Sequence, residues 1–131
     1  MQQISVYETW HVIEHEGERW VSIEEIECLP GAMPKATRDI TWAAICANRK
    51  VPMKWFHDNG QPSKIRYGNP RVPEWAALFL AILAHDGRLA EVIISRVLHD
   101  SQFREAGLAI HRLGGPEALK AFATEALTTK T

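Results

Sequence analysis

Apolar and polar positions along the chain change their period several times, and each change predicts an element. From Ile4 to Ile13 the two classes alternate loosely and β-formers dominate (Val6, Tyr7, Trp10, Val12). His15-Glu16-Gly17-Glu18 then supplies a turn before Arg19-Trp20-Val21, so a hairpin is expected here. Ser22 ahead of Glu24 and Glu25 reads as an N-cap with acids in the first turn, where the helix dipole favours them; Leu29-Pro30-Gly31 stops this first helix early. After Met33-Pro34 a second helix opens at Lys35 or Thr37, runs to about Asn48 or Lys50, and is closed by Val51-Pro52. Two β-like segments follow, Met53 to His57 and Lys64 to Tyr67, joined through Asn59-Gly60, a dipeptide that tolerates positive φ. Pro73 stands at the first position of a third helix through Ala84, which Asp86-Gly87 ends or kinks.

The last third is helical throughout. Arg88 to His99 sets Leu89, Val92, Ile93 and Val97 on one stripe. Ser101 is expected to cap a further helix with Phe103, Ala106, Ile110 and Leu113 inward, Gly114-Gly115 ends it, and Pro116 starts a final helix through Leu127. These amphipathic helices carry no chemistry of their own, so they either complete the core or offer an oligomerisation surface.

Charge sharpens this outline. The chain's net charge of −1 conceals a division: residues 1–30 carry seven acids against Arg19, whereas residues 31–72 carry eight bases against Asp39 and Asp58. A basic segment attracts phosphate whatever the total charge. With 131 residues, 46% of them hydrophobic, the chain can bury one sizeable core. The longest apolar run, Trp75 to Ala84, is half of what a bilayer span requires, and the start of the chain is polar, so a cytoplasmic location is expected. Cys28 and Cys46 are too few and too far apart for a disulfide scaffold or zinc finger and read as reduced, packed thiols.

Helical geometry sorts the second helix into two faces. Ile40, Ala43, Ala44 and Ala47 share one arc, expected to pack on the first helix; Arg38, Thr41, Ile45, Asn48 and Arg49 lie broadly opposite, and Arg, Thr and Asn are residue types that read bases and phosphates. Trp42 falls with Arg38 and Arg49, yet its size assigns it to the core.

The order Trp20-Val21-Ser22-Ile23-Glu24-Glu25-Ile26, Leu29-Pro30-Gly31, Met33-Pro34, Ile40-Thr41-Trp42-Ala43-Ala44, Lys64-Ile65-Arg66-Tyr67 and Val72-Pro73 resembles the Mu-type winged helix-turn-helix of phage Mu-like transposases and repressors. The likeness covers roughly half the chain. It implies that the second helix enters the major groove through Lys35, Thr37, Arg38 and Thr41, and that a wing bearing Lys54, Lys64 and Arg66 contacts backbone or minor groove. Two departures stand out: a second helix several residues longer, and one wing glycine, Gly60, where the family commonly shows Gly-Gly-Lys.

The expected fold is therefore α+β and α-rich. An acidic hairpin extension occupies residues 1–19, a winged helix-turn-helix residues 20–86, and a small C-terminal helical element residues 87–131. The candidate DNA-binding set is Lys35, Thr37, Arg38, Thr41, Asn48, Arg49, Lys50, Lys54, Lys64 and Arg66, with double-stranded DNA as partner, a homodimer through the C-terminal helices, and no cofactor. The expected role is that of a phage or prophage regulator, repressor-like, or a transposon-end-binding module. The alternative is a phage-encoded protein-interaction module that inhibits a host factor. No enzymatic role is expected: His11-Val12-Ile13-Glu14-His15 has the letters of an inverted zinc-protease motif, but on a strand its histidines lie too far apart to chelate in the usual way. The chain has no phosphate-binding glycine loop and no Gly-x-Ser-x-Gly elbow.

Overall fold

A computed structural model describes residues 10–27, 29, 32, 42–66 and 70–128. Its first element pair is a tight hairpin, β1 (Val12–His15) and β2 (Glu18–Ser22), with His15 opposite Glu18. The two connecting residues, Glu16 and Gly17, both have positive φ (51° and 79°), the backbone twist that a two-residue hairpin turn requires. A third strand, β3 (Arg71–Pro73), pairs antiparallel with β2, giving the order β1-β2-β3. Beyond β3, Lys54 forms an isolated bridge to Arg71 through two backbone hydrogen bonds of 2.9 and 2.7 Å. Periodicity does not announce β3, because three residues are too few to show an alternation and Pro73 reads as the first position of a helix. Pro73 ends the strand and precedes the helix rather than occupying its first turn.

Helix α1 (Ile23–Glu27) follows β2 directly, with the Ser22 hydroxyl accepting from the Glu24 N–H at 3.2 Å, as its cap position implied. Helix α2 (Trp42–Asn48) comes next. Helix α3 (Glu74–Ala81) is the centre of the fold: every residue from Ala76 to Ala81 is buried, and it packs against β2, β3, α1, and the two helices that follow. Tight turns carry the chain from Ile82 to Asp86, so α3 is shorter than the expected run to Ala84.

Asp86 caps α4 (Gly87–His99), accepting from the N–H groups of Arg88 and Leu89 at 3.0 and 3.3 Å. This helix buries Ala90, Ile93, Ile94 and Val97. Leu89 and Val92, placed on one stripe with Ile93 and Val97, face solvent because the stripe that meets α3 is rotated by one position. Helix α5 (Ser101–Thr128) is capped by Asp100 rather than Ser101, its carboxylate accepting from Phe103 N–H at 3.0 Å. It breaks at Gly115 (φ 79°, ψ −168°) before Pro116, where the Gly-Gly-Pro signal placed a boundary. The break turns the second half back onto the first. Phe122 stacks on Phe103 with ring centroids 4.9 Å apart, and Leu119 and Ala123 are buried. Phe103 and Gly107 point inward, whereas Ala106 and Leu113, also expected inward, are exposed.

One buried cluster runs from Trp10 through Val21, Trp42, Phe79 and Ile93 to Ala123, so the hairpin, the middle segment and the C-terminal helices share a core. Among the described residues no helix is long and apolar enough to cross a membrane.

Candidate nucleic-acid interface

The interface is built outward from α2, whose orientation is set by bulk. Trp42, Ile45 and Cys46 are buried, Ala43 and Ala44 half-buried, and Ala47 exposed. This corrects the expected faces at two positions: Ile45 belongs to the core and Ala47 to the surface. A tryptophan and an isoleucine remove far more apolar area from water than alanines do, so they choose the buried side. Cys46 packs as a small apolar group, its thiol pushed up to about 12 by burial. Asn48, Arg49 and Lys50 remain outward at the helix end, as expected.

Lys50 ends the helix in an unusual way. Its own N–H donates to Ala47 carbonyl at 3.1 Å, and Val51 N–H reaches back to Cys46 carbonyl at 2.9 Å, with Lys50 at φ 63°. These bonds form a Schellman cap, in which the left-handed position normally belongs to glycine. Left-handed backbone costs a side-chain-bearing residue about 1–2 kcal/mol, and glycine returns roughly 0.5–1 kcal/mol in lost chain freedom. Lys50→Gly is therefore expected to stabilise the fold by about 0.5–1 kcal/mol in urea melts. If Lys50 contacts phosphate, the same variant binds every duplex more weakly, so stability and affinity move in opposite directions.

The basic side chains divide into those held by the protein and those left to solvent. Arg49 turns toward α4: its Nε donates to Glu91 Oε1 at 2.8 Å, and its Nη2 pairs with the same oxygen. Lys54 lies over the buried Trp20 ring, 5.1 Å from the centroid, with Glu16 of the hairpin turn at 4.0 Å. Arg71 is half-buried and structural, donating to the carbonyls of His11 and Trp20 at 3.0 and 3.1 Å; burial lowers its pKa from the ordinary value. Lys64 and Arg66 are exposed, and the Arg66 guanidinium rests 5.5 Å from the Trp55 ring centroid.

The loop that presents Lys64 and Arg66 differs from the expected hairpin. Met53 to His57 does return on itself, but the return strand is Pro62-Ser63: Phe56 bridges Pro62, Ser63 N–H donates to Trp55 carbonyl at 2.8 Å, and His57 N–H to Gln61 carbonyl at 2.8 Å. Gly60 takes the positive φ (86°), and the Asn59 side chain closes an Asx turn on Gln61 N–H at 3.0 Å. Lys64 to Arg66 form a bend instead of the expected strand, because the Ser63 hydroxyl closes a local turn on both the N–H and the carbonyl of Ile65. Ile65 is 70% exposed between the two bases.

Reading the sequence for bases alone missed the aromatic residues beneath them. Trp20, Phe56 and His15 form a cluster at the foot of the loop, with Phe56 6.1 Å from Trp20 and 5.8 Å from His15 between ring centroids. The adjacency of Trp55 and Phe56 to Lys54 on the segment that leads to Lys64 and Arg66 was the available signal. His11 lies 3.2 Å from an Arg71 nitrogen, well apart in role from His15 on Phe56. Lys35, Thr37, Arg38 and Thr41 lie outside the described residues. Comparison with protein-family models, with curated proteins and with solved structures finds no match for this chain.

Proposed function

We propose that the chain binds double-stranded DNA as a winged helix-turn-helix regulator of the Mu-type kind, acting on phage or prophage genes or at a transposon end. The observation that carries this reading is the position of β3, flanked by β2 on one side and Lys54 on the other, with α1 and α2 falling between β2 and Lys54 in the chain. That order is the one a winged helix needs: the loop between Lys54 and Arg71 becomes the wing, and the helix before it becomes the recognition helix. Exposed Lys64 and Arg66 sit on that loop, and exposed Asn48 and Lys50 at the end of that helix.

In this reading the bases neutralise phosphates and fix register, while Asn48 and the residues preceding Trp42, Arg38 and Thr41 foremost, discriminate base edges. A homodimer doubles the site read; the solvent-facing Leu89 and Val92 of α4 are its apolar candidates. A second reading draws on a specific contact: Glu16 from the acidic hairpin approaches Lys54, and Glu91 holds Arg49. Acids that occupy basic groups in this way favour a protein partner in place of DNA.

The paired substitution Lys64→Ala/Arg66→Ala tests the wing. Each phosphate contact contributes about 0.9 to the slope of log affinity against log salt, so the double variant is expected to flatten that slope by roughly 2 and to weaken all duplexes alike. An unchanged slope would remove the loop from the interface.

A further inference from the structure

We propose that the hollow between the β1–β2 turn, the first turns of α3 and the break in α5 binds an apolar α-amino acid as a free zwitterion. The hollow has a volume of about 630 Å³, within the usual range for small-molecule sites. Its apolar wall is Trp75, Leu78, Leu108 and Pro116, and its charged rim holds Arg112 and Glu18. Gly115 lines the hollow where its φ of 79° turns the chain, and the position a Cβ would take is open space. One part of Trp75 is already covered by the Arg104 guanidinium at 4.7 Å from the ring centroid.

The charges on the wall select the ligand. Arg19 and Glu74 also line the hollow but are spent on each other: the Arg19 Nε lies 3.1 Å from each Glu74 oxygen, and a second nitrogen reaches Glu14 at 3.3 Å. His111 is half-buried, and burial lowers its pKa against the opposing pull of Glu74, which disfavours its charged form. Arg112 and Glu18 have no ion pair among the described residues. One guanidinium and one carboxylate on the rim of an apolar hollow match a carboxylate and an ammonium on one ligand, with the ligand's side chain against Trp75 and the leucines. A ligand carrying a single charge uses half of this rim. The site stands whether or not the chain binds DNA.

The test is calorimetric titration of the full chain with L-phenylalanine and L-leucine, beside two stripped analogues, 3-phenylpropionate and phenethylamine. L-Phenylalanine or L-leucine is expected to bind saturably, and both analogues about tenfold or more weaker than L-phenylalanine. Arg112→Ala should weaken L-phenylalanine about tenfold while leaving phenethylamine unchanged; Glu18→Gln should weaken L-phenylalanine while leaving 3-phenylpropionate unchanged. Leu108→Trp, checked by thermal melting to be folded, fills the hollow and should abolish binding. No saturable binding of either amino acid up to ~10 mM, equal binding of a stripped analogue, or binding that survives the Arg112→Ala/Glu18→Gln pair would overturn the proposal.

Discussion

Replacing Trp42 with alanine is expected to lower the stability of the fold by about 3–5 kcal/mol, the range for deleting a large aromatic from a core. Trp42 is fully buried, and with Ile45 and Cys46 it is what seats α2 against the rest of the protein. Since domains of this size have about 5–15 kcal/mol in total, this is a large share of the stability, and the variant should melt well below the unmodified chain. Trp42→Phe is the informative partner. The indole N–H of Trp42 has no hydrogen-bond partner among the described residues, so losing it breaks no bond. The phenyl ring keeps most of the packing, and the expected loss is below about 1.5 kcal/mol. Urea melts of both variants measure this directly. A mild Trp42→Ala effect would return α2 to the orientation in which the alanines pack inward.

Gly107→Ala should destabilise by about 1–3 kcal/mol, although the same exchange in an exposed helix usually gains up to about 1 kcal/mol. The reason lies in what a Cβ would meet: Phe79 Cζ at 2.5 Å, Phe79 Cε1 at 2.9 Å, and Leu119 Cδ1 at 3.3 Å. Phe79 is fully buried and packs near Phe103, which itself stacks on Phe122, so the ring has little room to yield. Gly107 is the point where the returning half of α5, α3 and the first half of α5 come together. In a Phe79→Leu background the penalty should shrink, giving a measurable coupling between the two sites. A neutral or stabilising Gly107→Ala would show that Phe79 moves aside freely and that the glycine is not a packing requirement.

What could be read from the chain was set by how local its cause is. The β1–β2 turn, the Ser22 cap and the break at Gly115 all follow from the backbone preferences of one to three residues, and each stands where those residues placed it. The α+β, helix-rich character follows from the same signals. Choices of face do not. α2 turns Ile45 inward and Ala47 outward because the surrounding core offers room for large side chains, and α4 leaves Leu89 and Val92 in water because α3 covers the neighbouring stripe. β3 was invisible as a three-residue strand; its identity comes from partners far away in sequence, Ser22 on one side and Lys54 on the other.

The candidate interface shows the same division. The positive charge and sequence positions of Arg49, Lys50, Lys54, Lys64 and Arg66 were legible, as were the polar Asn48 and the acidic character of the hairpin. Their occupancy was not. Glu91, 42 residues from Arg49, takes that side chain, and Trp20 with Glu16 takes Lys54. Long-range pairing of this kind depends on how the elements meet, which periodicity and charge counting do not encode. The hollow beside Gly115 was hidden for the same reason, since its walls come from the hairpin, α3 and both halves of α5.

Lys50 just past α2 and Lys64 and Arg66 on the following loop are proposed to bind duplex DNA, and equilibrium binding of the unmodified chain to labelled duplexes tests this most directly. Anisotropy would be read at ~50 and ~200 mM salt, with fragments from the neighbourhood of the encoding gene and a random duplex beside them. Binding is expected to weaken steeply across that interval and to favour the local fragment. Absence of binding to any duplex at the lower salt would contradict it and leave the acidic hairpin and its hold on Lys54 as the features to be explained by a protein partner.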